Sequence, residues 1–489
     1  MKMKSIHTEI NDKTHSKRMA PVVLGICLMI CGVFGTGCKK LLDIDPPINK
    51  TAATTVFSST AFATEAMTGI YVQMIKSFAG TSTSMSVKLG YTADEMTVVR
   101  TSGIDLRSYR NQYTTDPGVW TSLYLVIYRV NAIIDGVKAS AGIPEKAKSV
   151  LIGEAKFIRA FCYFHLVNEY GDAPLITTSD YSKNINVPRT AKDLVYAQMV
   201  QDLQDAQNRL TDDYLGLDLV APTVEKIRPN KFAATALLAR VYLYTGQWAK
   251  AETEATKVID NGKYSLLTDL NGVFLKNSNE AIWQLQPNPL DPTTANTPEG
   301  YFLIPLDGGT PPLKASANLL AAMETGDKRR DNWLSDITGD GVTLIPFKYK
   351  LGPFQLDQQE YIMVLRLAEQ YLIRAEARAQ LDKVTGAGSA ETDVDAIRTR
   401  AGLAGTTAGN KTEMLAEIAK QRFAELFTEW GDRWNDLKRT NKINDVMTLA
   451  CPKKGGVWDP NKALFPIPPN EFLYNPALRG HQNPGYQEK

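Results

Sequence analysis

The stretch PNKFAATALLARVYLYTGQWAKAETEATKVIDNG, residues 229–262, decides the fold class. Leu238, Ala239, Tyr242, Gly246 and Ala251 fall at the offsets of a tetratricopeptide repeat. In such a unit small residues let two helices pack closely, and the glycine permits the tight turn between them. An ordinary helical hairpin could share two or three of these positions, but five at the right offsets favour the repeat. A second hairpin is expected over 365–402, with Ala375, Ala377 and Ala379 as its small residues and a longer loop from 383 to 389. The chain is therefore expected to be mainly α.

Working outward, helical periodicity extends over most of the chain. One helix is expected over 59–76. From Trp120, the residues Leu123, Tyr124, Ile127, Tyr128 and Asn131 recur at three- and four-residue steps and should share one face. A second helix is expected over 145–170, stopped by Gly171-Asp172-Ala173-Pro174, and a third over 191–210. The segment 77–117 is polar and Ser/Thr-rich and reads as loops. Between the two hairpins, 263–360 carries Pro287-Asn288-Pro289, Asp291-Pro292, Gly308-Gly309 and Pro311-Pro312, so it reads as a loop-rich insertion with a few short strands. Helix returns over 412–439. Phe423, Phe427, Trp430, Trp434 and Leu437 form an aromatic stripe there, which at helical spacing points to core packing rather than a ligand. The tail 464–489 is too rich in Pro and Asn for regular helix.

The N-terminus carries an export signal. Lys13, Lys17 and Arg18 precede a 15-residue apolar run, 20–34, too short to span a bilayer, which needs about 20 residues. Gly35-Thr36-Gly37 then places small residues before Cys38. We read 1–37 as a lipoprotein signal peptide and Cys38 as a lipid-anchored N-terminus, although Gly35 stands where such sites usually have Leu. Residues 38–58, with Pro46-Pro47, form an extended leash to a body spanning 59–489. Of the 55 Lys/Arg and 53 Asp/Glu, the first 37 residues hold five and two, so the remainder is close to neutral and offers no basic patch for nucleic acid. Beyond residue 38 only Cys162 and Cys451 remain, which excludes a disulfide framework.

Motifs that carry chemistry are scarce. There is no HExxH, GxSxG, Walker loop, CxxC or GxGxxG. His165 and His481 lie far apart, which gives little support to a triad or a zinc site. His165 sits among aromatics and is expected in the core. Asp336, Thr338, Asp340 and Gly341 resemble half of a calcium loop, but Phe347 stands where a bidentate Glu is needed, so a polar turn is the better reading. No catalytic residue, metal or cofactor is expected.

Several segments together resemble the SusD/RagB family of outer-membrane nutrient-uptake lipoproteins. They are the leash from Cys38 to Asp43, Glu154 to Phe161 running on to Tyr170-Gly171-Asp172-Ala173-Pro174, Gly262-Lys263-Tyr264, and Leu365-Arg366-Leu367-Ala368-Glu369 through Arg374-Ala375-Glu376-Ala377. Later come Arg398 to Leu403, Glu425-Leu426-Phe427, Gly431-Asp432-Arg433-Trp434, Phe465-Pro466-Ile467-Pro468 and Gln482-Asn483-Pro484-Gly485-Tyr486. Gln421 before Arg422, and Trp430 before Gly431, depart from the usual pattern.

The resemblance implies a SusD-like body of tetratricopeptide-like helices (59–262 and 361–440) with the loop-rich region carrying the ligand surface. It implies a non-enzymatic binding protein, lipid-anchored at the cell surface. Such a protein would capture an oligosaccharide or polysaccharide and hand it to a SusC-like TonB-dependent transporter. A peptide or another nutrient bound on the same architecture is the alternative, and a surface hydrolase a further one. Family binding residues vary, so none is carried over. Sugar binding favours aromatic faces in loops beside polar groups. The candidates by that criterion are Arg107, Tyr109, Arg110 and Asn111 in one loop, and Tyr301 and Trp333 in the insertion; each ring could equally pack its own loop. Trp120 and Trp283 are assigned to the core.

Overall fold

The computed structural model describes residues 53–78, 85–116, 119–306 and 308–488. The signal segment, Cys38 and the leash up to residue 52 lie outside the described residues. In chain order the helices used below are α1 Thr60–Phe78, α2 Met85–Thr92, α3 Trp120–Ala139, α4 Glu145–Tyr170, α5 Lys192–Arg209, α6 Lys231–Tyr244 and α7 Trp248–Ile259. They continue with α8 Pro298–Leu303, α9 Leu367–Gln380, α10 Ala390–Arg400, α11 Lys411–Leu426, α12 Asp432–Arg439 and α13 Ile443–Lys453.

Helix α4, with 26 residues, is about 39 Å long at about 1.5 Å per residue and is buried on nearly every face. Pro144 and Glu145 favour its start, and at its end the amide of Gly171 (φ 73°) bonds to the carbonyl of Val167. Each helix then packs on its neighbours in sequence: α3 and α5 on α4, α6 on α5, α7 on α6, α9 on α7, α10 on α9, and α11 on α9 and α10. This is the nearest-neighbour stacking of helical repeats. The α6–α7 hairpin turns at Gly246 (φ 68°), as its spacing predicted. Buried ion pairs fix the stack: Arg240 Nε lies 2.6 Å from Glu369 between α6 and α9, and Arg374 and Arg378 share Asp393 between α9 and α10.

The insertion leaves the stack after α7 and rejoins it at α9 without breaking their contact. Its ends are clamped by two antiparallel strands, Ala281–Leu285 and Ile362–Arg366. A second pair, Met96–Val98 with Leu313–Ala315, ties it to the segment before α3, and a third, Leu334–Asp336 with Leu344–Pro346, forms a hairpin within it. Where the insertion meets α10 and α11 lies a buried charge cluster. Arg366 Nη1 is 2.7 Å from Glu425 Oε1, Arg400 contacts both Glu280 and Glu425, and Arg329 bonds Asp327 and reaches Glu425 at 3.2 Å.

The segments that carried the family resemblance are one another's contacts. Asn483 Nδ2 donates to the carbonyls of Tyr170 and Phe465, the Phe465 amide to Glu169, and Arg189 to Asn483 Oδ1. Arg433 pairs with Asp94, while Trp434 is fully buried. Among the described residues, these contacts hold the fold together.

Four expectations need correction. Residues 85–92 form a helix, not a loop, and every one of them is buried, so no polar face marks it in the sequence. The expected helix 412–439 is two helices, because Thr428, Trp430 and Gly431 all adopt left-handed conformations; that bend lets the Thr428 amide reach Glu95 and the Trp430 amide reach Ser86. Tyr128 is exposed, one step round from the buried face of α3. Part of the leash, Ala53–Val56, is a short helix. The core assignments of Trp120, Trp283 and His165 agree with their burial. Burial pushes the His165 imidazole down to about 3, with Arg240 and Lys438 adding to the effect, so it is neutral.

Candidate functional site

The two loops singled out in the sequence meet. Leu303 of α8 shares a small apolar cluster with Tyr109, Tyr91, Met96, Val87 and Leu313, and a Cβ on Gly103 would touch the Phe302 ring at 3.7 Å. Within that junction the side chains divide. Tyr109 is buried, edge-on to Tyr91. Asn111 is buried in a left-handed conformation and donates to the carbonyl of Thr92 at 3.0 Å. Arg107 and Arg110 are exposed; Arg110 lies against the Gly455-Gly456 turn. Asp105 caps the one-turn helix Leu106–Tyr109 through the amides of Arg107 and Ser108. Tyr109 and Asn111 are thus structural, contrary to expectation.

Trp333 also needs correction. It is 0% exposed, ends a short helix, and donates its indole N–H to Leu270 at 3.0 Å in a cluster with Phe274 and Phe427. Its ring is closed to any ligand. The acidic run is a polar turn as read: Asp336 accepts the amides of Gly339 and Gly341, and Asp340 those of Val342 and Thr343. Among the described residues no cluster of His, Cys, Asp and Glu could hold a metal.

Tyr301 is the candidate that lines an open cleft, of about 440 Å³. Helix α8 forms one wall. Thr297 caps it, its hydroxyl accepting the Gly300 amide, and Pro298 occupies the first turn. The opposite wall is the segment 351–354. It presses so close that a Cβ on Gly300 would stand 2.3 Å from the Leu351 carbonyl oxygen, and one on Gly352 3.1 Å from Ile304. Asn296 and Glu360 brace that wall: Asn296 bonds the backbone of Gln355, Asp357, Gln359 and Glu360, and the Glu360 carboxylate accepts the amides of Lys350 (2.5 Å) and Leu351 (3.3 Å).

The braced wall presents a residue that sequence reasoning missed. Phe354 is held at φ 66°, its amide bonded to the Pro292 carbonyl, with its side chain 58% exposed at the cleft. A bulky residue in that conformation is strained, and such strain gathers at functional positions. Arg100 lines the cleft from the far side. Its amide and that of Val99 continue the strand pairing onto the Pro312 carbonyl.

Two larger cavities lie on the helical body. One, of about 720 Å³, is lined by Arg189, Lys438 and Arg439, which are already committed to Asn483 and nearby carbonyls, to Glu169, and to Glu376 and Asp436, and by the exposed Lys192. The other, of about 700 Å³, is an apolar hollow between α11, α12 and α13. The smaller cleft sets the half-exposed Tyr301 and the exposed Phe354 beside Arg100, an exposed cation with no side-chain partner among the described residues.

Two family models match the chain. One, described as "Starch-binding associating with outer membrane", covers residues 40–243, and the other, the SusD family, covers 355–486. Tyr301 and Phe354 fall between the two matched regions. The chain is 26% identical to SusD-like protein P2 of Formosa agariphila, over 92% of this chain and 97% of that protein. It is 35% identical to SusD-like protein P25 of the same organism over 34% of this chain, spanning 31% of that relative's length. A laminarin-binding SusD-like protein of known structure superposes with a TM-score of 0.71 at 24% identity, covering 87% of this chain and 99% of that one. Surface glycan-binding protein A from Bacteroides uniformis does so with a TM-score of 0.71 at 21% identity, covering 86% and 98%. These structural likenesses show a common fold.

Proposed function

The chain belongs to the SusD/RagB family, and on that premise we propose that it is a cell-surface binding lipoprotein. It captures an oligosaccharide or polysaccharide in the cleft between α8 and the segment 351–354, and delivers it to a SusC-like TonB-dependent outer-membrane transporter. The observation that carries this reading is that the rings of Tyr301, Phe302 and the strained, exposed Phe354 line one cleft with braced walls. Aromatic faces in a fixed cleft stack on the C–H faces of sugar rings at little ordering cost. The described lining holds no carboxylate or imidazole to serve as acid or base, which favours binding over hydrolysis.

Lipidation at Cys38 would keep the body beside its transporter, each acyl CH₂ adding about 0.8 kcal/mol of membrane affinity. No helix among the described residues is long and apolar enough to cross a membrane. Affinity electrophoresis against a glycan panel, run beside a peptide panel, tests the ligand class. Retardation by glycans that is lost in Tyr301→Ala is expected; capture of peptides alone would refute it. Cys38→Ala should release the protein from the membrane fraction, and co-isolation of a TonB-dependent barrel with the wild type tests the partner.

A further inference from the structure

The polar groups of the cleft are unusual for a neutral sugar. Hydroxyl-rich ligands both donate and accept, and sites for them pair donors with carboxylate or carboxamide acceptors. Among the described lining residues here, the side-chain acceptors are only the hydroxyls of Tyr301 and Thr310. Among these described residues the one strongly polar group is the Arg100 guanidinium, which carries five N–H donors and no acceptor.

That guanidinium is uncommitted. Arg100 is exposed and has no hydrogen-bond or carboxylate partner among the described residues. The buried arginines of the body behave differently: Arg400, Arg422 and Arg439 each contact two carboxylates and Arg366 contacts three. Its backbone is fixed by the bonds to Pro312, itself a cleft residue. A donor-only, permanently charged fork beside two aromatic faces is complementary to a ligand that is ring-shaped and carries an acceptor-only anion. We infer that the glycan bound in this cleft is anionic, bearing a uronate carboxylate or a sulfate ester that Arg100 engages while its sugar rings lie on Tyr301 and Phe354. This rests on the reading of the cleft as the glycan site.

The test compares the detergent-solubilised full chain binding to polygalacturonate (carboxylate only), dextran sulfate (sulfate only) and laminarin (neutral), by affinity electrophoresis at low and at high salt. The expected result is at least tenfold tighter binding to one of the polyanions than to laminarin. That preference should weaken with salt, collapse in Arg100→Gln, be partly kept in Arg100→Lys, and be unaffected by Arg330→Gln, which removes an exposed arginine outside the cleft. Which polyanion is preferred separates carboxylate from sulfate. Equal binding of all three, binding of none, or a preference that survives Arg100→Gln overturns the inference. Tyr301→Ala and Phe354→Ala distinguish the two levels. If they abolish binding while no anionic preference exists, only the anionic inference fails; if they leave glycan binding intact, the cleft reading fails as well.

Discussion

Gly300 lies so close to the Leu351 carbonyl that a Cβ there would stand 2.3 Å from the oxygen. The contact is backbone against backbone, so no side chain can swing aside to relieve it. Gly300→Ala should therefore push α8 away from the segment 351–354, at a cost of about 1–3 kcal/mol as for other overpacked sites. Chemical denaturation should show that loss, and glycan affinity should fall with it because Tyr301 is the next residue along α8. A variant as stable as the wild type would mean that the two walls are not in contact.

Phe354 separates stability from binding. Its left-handed backbone costs a non-glycine residue about 1–2 kcal/mol, partly offset by the entropy that glycine would lose. Since the ring is largely exposed, Phe354→Gly should leave the melting temperature unchanged or slightly raised while weakening glycan binding tenfold or more. A clear drop in melting temperature with binding intact would make the ring a packing element.

Trp333 should behave in the opposite way. Its fully buried ring packs on Phe274 (centroids 5.6 Å apart) and is capped by Lys348 Nζ at 4.9 Å. Trp333→Phe removes the indole bond to Leu270 as well as ring volume, and Trp333→Ala should cost about 3–5 kcal/mol. Denaturation midpoints measure this. Any glycan contact would instead appear as a binding defect in the Phe variant without loss of stability.

The contrast between Phe354 and Trp333 marks what local sequence can reveal. Helix α4 was legible to the residue because its apolar period, Pro144 and Gly171 are all local signals. The repeat hairpin was legible for the same reason. Helix α2 was not, because its eight residues are too few to show a period and sit in a Ser/Thr-rich segment, and the break before α12 was not, because the bend is fixed by Glu95 and Ser86, more than 300 residues away in sequence. The cleft lay between these cases. Tyr301 stood in a segment that composition marks as irregular. Whether a loop aromatic faces solvent or core, however, depends on the wall opposite, and Gly300, Gly352 and Asn296 set that wall through contacts about 45 to 65 residues apart in sequence. Phe354, beside Gly352-Pro353, had only a turn signal to recommend it.

Glu425 ties three arginines together and should be the least replaceable charge in the body. Burial alone would raise its carboxyl, but Arg400, Arg366 and Arg329 hold it well below the usual carboxylate range. Glu425→Gln leaves three guanidinium groups partly unmatched in the interior, and breaking a buried pair in this way costs about 3–5 kcal/mol. The variant should express poorly or melt far below the wild type. A near-neutral effect would show that water or rearrangement satisfies the cluster.

Glu360 links the cleft wall to pH. Burial pushes its carboxyl from 4.5 up to about 7, although the Lys350 and Leu351 amides and the Lys350 charge pull the other way. The charged groups around it are consistent with that balance: Lys350 is itself pushed down to about 8 by burial, and Glu299 and Glu360 both act on the buried Tyr349 hydroxyl. Between about pH 4.5 and pH 7 the folded protein holds a proton on Glu360 that the unfolded chain has released. Unfolding therefore releases a proton in that window, and this group's contribution to stability falls as pH rises through it, levelling above about pH 7. Glu360→Gln cannot titrate. The stability of the wild type relative to this variant should accordingly decline from pH 5 to pH 7 and then stay flat, as read from denaturation midpoints at matched salt. A difference that is constant across the window, or that grows with pH, would mean that the carboxylate is already ionised at pH 5 and that its bonds to the wall outweigh its burial.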